Sequence, residues 1–496
     1  MYIVPYSNAI KSANSRLAIF VCILFLSIST SSFAQKADKS TSLKNEVSQS
    51  IDSRYEALTD LSDQIWSFEE IAFQEFQSSA ALSDYAESLG FRVSRGVADI
   101  PTAFVAEYGS GKPIIGILGE FDALPGLSQN KVPYKSPLNE GAAGHGCGHN
   151  LFGVASLGAA AAIKDQIEKG EIKGTVRFYG TPAEEKFFGK LWMVRAGLFD
   201  DVDVVMDWHP MENTKAAVQK GLALVDFQVE FFGQAAHASA DPWNGRSAGD
   251  ALELYTNGIN YYREHIKPTV RIHYHIQDAG QVVNVVPDYS RIWVRVRDSS
   301  REGLIPVWER VKAMAEGAAI LANVDYEVNL ISGVHEVLVN RTGSAALQQN
   351  LETLGPISYT SEEQEFAKKI QEATGKPQIG LVSEILPMEE TAEHSMGGST
   401  DVGDVSWVVP TIRLQATVAP NGTPWHSWAV VASAGMSIGH KGMAYAAKAL
   451  GMTMIDLFTN PELVDSVKAE FKEKKGEYVY KGFLPDGPPP IKSKLQ

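Results

Sequence analysis

The glycine-rich run Gly144-His145-Gly146-Cys147-Gly148-His149-Asn150 holds the first residues of this chain whose types and spacing point to chemistry. Glycines let a backbone turn tightly enough for Cys147 and His149 to aim at one ion, and a thiolate with an imidazole suits zinc or a similar borderline metal. The pair also has a plainer reading, as a buried cysteine and a hydrogen-bonded core histidine. Further on, the strand-like run Thr175 to Tyr179 leads into Gly180-Thr181-Pro182-Ala183-Glu184-Glu185. That puts adjacent carboxylates at the carboxyl end of a strand, where open α/β sheets bind their ligands. One such carboxylate can hold a cation while the other moves protons, although a solvated acidic turn has the same composition. The next strand delivers Asp207-Trp208-His209-Pro210 at the corresponding place, and a late loop carries His426 in Gly422-Thr423-Pro424-Trp425-His426-Ser427-Trp428, which on its own reads as a surface histidine more often than as a ligand. Glu120 and Asp122 also follow a strand, where a carboxylate can orient a ligand histidine or simply close a turn.

These residues need a scaffold that brings several strand ends together. Strand-like runs at Ile114 to Leu118, Thr175 to Tyr179 and Val202 to Met206 alternate with helical stretches such as Val154 to Lys164. That rhythm predicts an α/β sheet with helices on both faces. Between about residues 222 and 336 the rhythm changes. Strand Leu222 to Phe232, helix Arg246 to Tyr262, strands Val270 to Ile276 and Ser290 to Arg297, helix Glu302 to Ala322 and strand Asp325 to Ile331 spell β-α-β-β-α-β, the split ferredoxin-like unit. The expected organisation is a catalytic domain over 42–221 and 337–475, an inserted domain over 222–336, and a flexible tail over 484–496. Pro485, Gly487 and Pro488-Pro489-Pro490 bar regular structure from that tail, and both chain ends read as peripheral.

Composition narrows the partners. The formal charge is −15 and no basic tract interrupts it, which argues against nucleic acid and anionic lipid and for a small-molecule partner. Lys11 and Arg16 precede the apolar run Leu17 to Leu26, and Ser32-Phe33-Ala34 offers small residues to a signal peptidase. Residues 1–34 are therefore expected to be a signal peptide cleaved after Ala34, with export to the periplasm. The alternative is a retained anchor, but the run is shorter than the roughly 20 residues a span needs. Cleavage removes Cys22 and leaves Cys147 as the single cysteine, so no intramolecular disulfide can form.

Taken together these residues resemble the aminoacylase- and carboxypeptidase-type family of two-metal amidohydrolases, in its branch with a cysteine ligand. The resemblance rests on Gly119 to Leu124, Gly144 to Leu151, Val176 to Gly180, Phe199 to Asp203 and Ser399 to Trp407, and it spans nearly all of the chain beyond residue 34. It implies a catalytic α/β domain with a mixed sheet, plus the inserted ferredoxin-like domain as a dimerisation or lid element. It implies two divalent ions, zinc or manganese, held by Cys147, His149, Glu185, His209 and His426, with Glu184 as general base. His237, in Gly233-Gln234-Ala235-Ala236-His237-Ala238, matches a histidine that reaches the substrate carbonyl of a partner subunit. Asn284 and Arg297 match a pair that grips the substrate's carboxylate, although the first also reads as a turn residue and the second as half of a strand-end ion pair. The implied reaction is cleavage of the amide of an N-acyl amino acid of the aminobenzoyl-glutamate kind by a homodimer, with room for a second subunit type. An aminoacylase or dipeptidase acting on another N-acyl amino acid is the alternative. A binding protein on this scaffold that lacks catalysis is the alternative of a different class.

Overall fold

The computed structural model describes residues 1–2, 39–390 and 397–491. Apart from its first two residues, the expected signal segment lies outside them. The larger domain is built on a seven-stranded mixed sheet of order β1-β2-β4-β3-β5-β11-β6. Its strands are β1 Arg92–Arg95, β2 Phe104–Ser110, β3 Ile114–Gly119, β4 Gly174–Gly180, β5 Val204–Met211, β6 Lys215–Ala216 and β11 Thr411–Thr417. The four central strands β4, β3, β5 and β11 are mutually parallel, while β2 and β6 flank them antiparallel. A strand buried on both faces needs an apolar run rather than alternation, and β3, Ile-Ile-Gly-Ile-Leu-Gly, is such a run.

Helices cover both faces. On one side the helix His149–Glu168 is buried almost all round, packed beside Ser437–Thr459 and Tyr55–Phe68 in the main core. Its Ala159 to Ala162 stretch allows that close approach, because small side chains keep helix backbones near one another. On the other side Trp192, Phe187, Phe199 and Tyr179 form a second core with the Gly189–Arg195 and Val402–Ser406 helices.

The inserted unit is a four-stranded antiparallel sheet of order β10-β7-β9-β8, from β7 Ala223–Phe232, β8 Arg271–Asp278, β9 Tyr289–Asp298 and β10 Asp325–Val334. Helices Ala248–Tyr262 and Arg301–Ala322 pack on one face, over Val225, Phe227, Val229, Ile292, Val294 and Val296. Strand alternation then leaves Asp226, Gln228, Trp293, Arg295 and Arg297 on the face without helices.

Both chain ends depart from the expectation of a peripheral location. Residues 39–53 are helical, and Leu43, Val47 and Ile51 are buried in the main core. At the other end, Arg195 donates to the Pro485 carbonyl at 3.3 Å and the Gly487 carbonyl at 2.7 Å, while Leu484 and Ile491 pack on the second core. The segment expected to be a free tail is therefore docked as far as residue 491; its prolines exclude regular structure but not packing. Just before it, Phe483 bridges to Gly333 on β10, enters the core of the insert and meets Trp308 edge-on. Tyr478 accepts or donates at His335 Nε2 over 2.9 Å, and Tyr480 donates to Asp404 at 2.8 Å. This strap ties the insert to the larger domain where the chain crosses between them. Phe483→Ala should cost about 3 kcal/mol and lower the melting temperature while speeding protease cleavage near residue 335; an unchanged melting temperature and cleavage rate would show that the strap carries no load.

Candidate metal and active site

Because four central strands run parallel, their carboxyl ends share one edge of the sheet, and each contributes to one cluster. Glu120 and Asp122 follow β3, Glu184 and Glu185 follow β4, His209 lies within β5, and His426 lies on the loop after β11. Cys147 and His149 arrive from the loop that starts the His149–Glu168 helix. Gly148 between them has φ +76°, a conformation that costs other residues but not glycine, and so both side chains turn inward.

Among the described residues, Cys147, His149 and His209 form one group whose donor atoms lie within 4.8 Å of one another, and Cys147, Glu185 and His426 form another. The five donors expected from the sequence are thus brought together as two triads that share the Cys147 sulfur. A third group, Glu120, His149 and Glu184, lies alongside. His209 Nδ1 donates to the Pro210 carbonyl at 2.7 Å, which leaves the Nε2 lone pair 3.4 Å from Cys147 Sγ. Burial pushes the His209 pKa down to about 3, so the ring is neutral, the form that ligates. His149 Nδ1 meets Asp122 at 2.9 Å, while its Nε2 lies 3.0 Å from Glu120 Oε2 without hydrogen-bond alignment. Burial acts to lower the His149 pKa, but Glu120, Cys147 and Asp122 outweigh it and hold it well above the usual value. His426 is more exposed, with Nε2 3.6 Å from Glu185.

His149 Nε2, Glu120 Oε2 and Glu185 Oε1 are buried and have no hydrogen-bond partner. Buried polar atoms left unpaired are costly, and here they converge on one small space beside a thiol and two imidazoles. This donor set fits divalent cations such as zinc, which accepts sulfur, nitrogen and oxygen together.

The surroundings fix these groups in place. Asp122 uses its second oxygen to accept the Glu185 N–H at 2.9 Å, so one carboxylate orients a histidine and a glutamate at once. Glu75, fully buried, accepts the Ala183 N–H at 2.9 Å and holds that residue at φ +62°, just before Glu184. Lys190, also fully buried, donates to Glu120 at 2.6 Å and to Asp401 at 2.7 Å. Glu75, Lys190 and Asp401 were not singled out as site residues from the sequence, although a lysine inside the apolar run Gly189-Lys190-Leu191-Trp192-Met193 is a signal of a buried charge. Burial, followed by Glu120, Glu185 and Asp401, holds the Glu184 carboxyl well above the usual range.

The remaining expected residues lie in the insert and are not gathered in one place. Ala238 N–H donates to the Asn284 carbonyl at 3.0 Å and His237 bridges to Val285, so His237 and Asn284 share one end of the unit. Arg297 sits near the opposite end of β9, paired in register with Leu224, while Tyr289 pairs with Phe232 beside the His237 end. Eight residues of extended strand separate Tyr289 from Arg297, about 27 Å. Asn284 and Arg297 of one chain therefore lie at opposite ends of the insert. Arg297 is at the end that meets the larger domain, since its register partner Leu224 packs on Phe188 and Leu191, a few residues after Glu185.

The sequence profile of peptidase family M20/M25/M40 matches residues 116–388, more than half of the chain. The chain belongs to this family. It is 37% identical to one of the subunits of p-aminobenzoyl-glutamate hydrolase from Escherichia coli (strain K12), over 90% of this chain and 98% of that one. It is 31% identical to the human Xaa-Arg dipeptidase over 88% of this chain and 93% of that one. Among solved structures, an M20-family peptidase from Bacillus subtilis, described as dinuclear metal-binding, superposes with TM-score 0.56 at 19% identity, covering 82% and 99% of the two chains. An aminobenzoyl-glutamate utilization protein from Klebsiella pneumoniae gives TM-score 0.57 at 18% identity, covering 83% and 97%. The structures share the fold. With the family shown, this M20 chain is a hydrolase acting on amide bonds.

The protonation of the ligands sets how metal uptake depends on pH. Burial raises both the Cys147 thiol and Glu185, the latter to about 7. Each must lose its proton to bind a cation, so uptake releases protons and affinity increases as pH rises through about 7. Competition with a chromophoric chelator on either side of neutrality measures this; an affinity independent of pH would show that neither group ligates.

Proposed function

We propose that this M20 hydrolase cleaves the amide bond between an aryl-acyl group and an amino acid with a free carboxylate, of the aminobenzoyl-glutamate kind, using two divalent cations, zinc or manganese. The observation that carries this reading is the pair of donor triads sharing Cys147 Sγ, with Glu184 beside them. The hydrolase relatives support it, since the p-aminobenzoyl-glutamate hydrolase chain from Escherichia coli aligns over nearly the whole length. The apolar run preceding Ala34 supports export to the periplasm.

The bound cations would lower the pKa of a coordinated water from about 15.7 toward 7 and polarise the scissile carbonyl. Cys147, His149, Glu185, His209 and His426 would hold them. Glu184 would take the proton from the attacking water and pass it to the departing amine, which its raised pKa suits. Arg297 would bind the substrate's carboxylate, a task for which a guanidinium has matching paired donors.

His237 fits the role of an oxyanion donor supplied in trans. Its Nδ1 accepts the backbone N–H groups of Ser239 and Ala240, each at 3.2 Å, so the ring proton resides on Nε2 as a donor. The residue is exposed and lies at the end of the insert away from Arg297. Toward that end Ile276, Val282 and Val283 are exposed apolar side chains, and β8 is an edge strand. An apolar patch next to an open edge is suited to pairing with a second copy about a twofold axis.

Two experiments test these assignments. Glu184→Gln should keep its metal and lose most of kcat, whereas Glu185→Gln should also lower metal occupancy; equal metal loss in both proteins contradicts the division of roles. Glu184→Ala and His237→Ala proteins, each nearly inactive, should regain about a quarter of wild-type activity when unfolded together and refolded as a mixture, because half the dimers are then mixed and each holds one complete site. Confirmed mixed dimers without recovered activity would show that His237 does not act across the interface.

A further inference from the structure

The helix-free face of the inserted sheet carries a strip of positive charge of which the reaction proposed above uses only Arg297. Arg271 on β8 stands directly opposite Arg297 on β9, and His273 stands opposite Arg295. Residues directly opposite in an antiparallel pair project to the same side, about 5 Å apart. Leu224 on β7 continues the row on the other side of Arg297 and packs on Phe188 and Leu191 beside the Glu184-Glu185 loop. The strip therefore begins next to the catalytic loop and runs outward across β9 to β8.

Its charges are not balanced. Asp226 is hydrogen-bonded to Arg295, receiving its Nε at 2.7 Å and a second nitrogen alongside, and reaches Arg297 only through space. Arg297 makes no ion pair among the described residues, and its Nε is buried without a hydrogen-bond partner. Arg271 donates from one nitrogen to the Pro268 and Val270 carbonyls and has no acidic partner among the described residues. Burial and the neighbouring arginines, 297, 263, 295 and 271, depress His273. Other part-buried arginines of the larger domain do have carboxylate partners, as Arg177 has Glu107 and Asp201 and Arg413 has Asp207. Guanidiniums left open in one row, beside a catalytic loop, are a receptor for anions.

We propose that Arg271 and His273 form a second carboxylate subsite next to Arg297, so that the site selects a leaving amino acid whose side chain is itself an acid. The α-carboxylate binds Arg297 and the side-chain carboxylate binds Arg271 and His273. The two carboxylates of a glutamate are separated by three carbons, which suits two guanidiniums about one strand spacing apart. A leaving group with a cationic side chain, such as arginine, meets like charge at the same place and is rejected.

This inference rests on the amide-cleaving reading for its location, but its test does not. L-glutamate and L-glutamine have the same shape, differ in one charge, and contain no acyl-amino-acid bond to be cut. Calorimetric titration of the metal-loaded protein should give at least about tenfold tighter binding of glutamate. That ratio should fall to near one in Arg271→Gln and be largely kept in Arg271→Lys, which retains the charge. The ratio of kcat/KM between N-(4-aminobenzoyl)glutamate and N-(4-aminobenzoyl)glutamine should follow the same pattern. A wild-type binding ratio near one, or a ratio unaltered in Arg271→Gln, overturns the subsite. A binding ratio that behaves as stated while neither amide is cleaved leaves the subsite standing and overturns the hydrolytic reading.

Discussion

A carboxylate that cannot reach water requires a positive charge or a proton, and this fold gathers Glu120, Asp122, Glu184, Glu185 and Asp401 at one end of its main sheet. Lys190 is the permanent cation bonded within that group, shared between Glu120 and Asp401. The imbalance accounts for several otherwise separate observations. Glu184, Glu185 and Asp401 are all raised above their ordinary pKa values, His149 is raised against the effect of its own burial, and His149 Nε2, Glu120 Oε2 and Glu185 Oε1 are buried unpaired. Divalent cations would relieve all of these at once, which is why the cluster makes sense as a metal centre and not as a structural core.

The same constraint explains how tightly the surrounding groups are held. Asp122 is bonded to both His149 and the Glu185 backbone, the Pro210 carbonyl fixes the tautomer of His209, and Glu75 keeps the turn before Glu184 in a left-handed conformation. Each of these bonds limits the freedom of a donor before any ion arrives. Preorganised donors lose less entropy on binding, and they keep two neighbouring glutamates in distinct positions.

The insert poses a different problem, one of reach. About 27 Å along β9 separates the end with His237 and Asn284 from Arg297. A rigid sheet cannot deliver both ends to one site of its own chain. The proposed second copy would supply the far end, and the docked C-terminal strap from Tyr478 to Phe483 ties the insert to the larger domain.

Much of this was legible in the sequence, because the relevant signals are local. The β-α-β-β-α-β rhythm of the insert matches the structure to within three residues at each element, since strand and helix periodicities are written in neighbouring residues. Glycines, strand ends and paired carboxylates marked Cys147, His149, Glu185 and His209, while the full set with His426 came from the family resemblance. Residues whose meaning depends on distant partners were not legible. Lys190 is an ordinary charged residue until folding buries it between Glu120 and Asp401, which lie 70 and 211 positions away. Arg271 is a surface arginine until β8 pairs with β9 and sets it opposite Arg297. The tail beyond Leu484 contains residues that favour irregular structure, yet it docks because Arg195 and an apolar surface await it. Local chemistry and the order of elements thus follow from the chain itself, whereas the balance of buried charge and the separation of His237 from Arg297 exist only once distant segments are brought into contact.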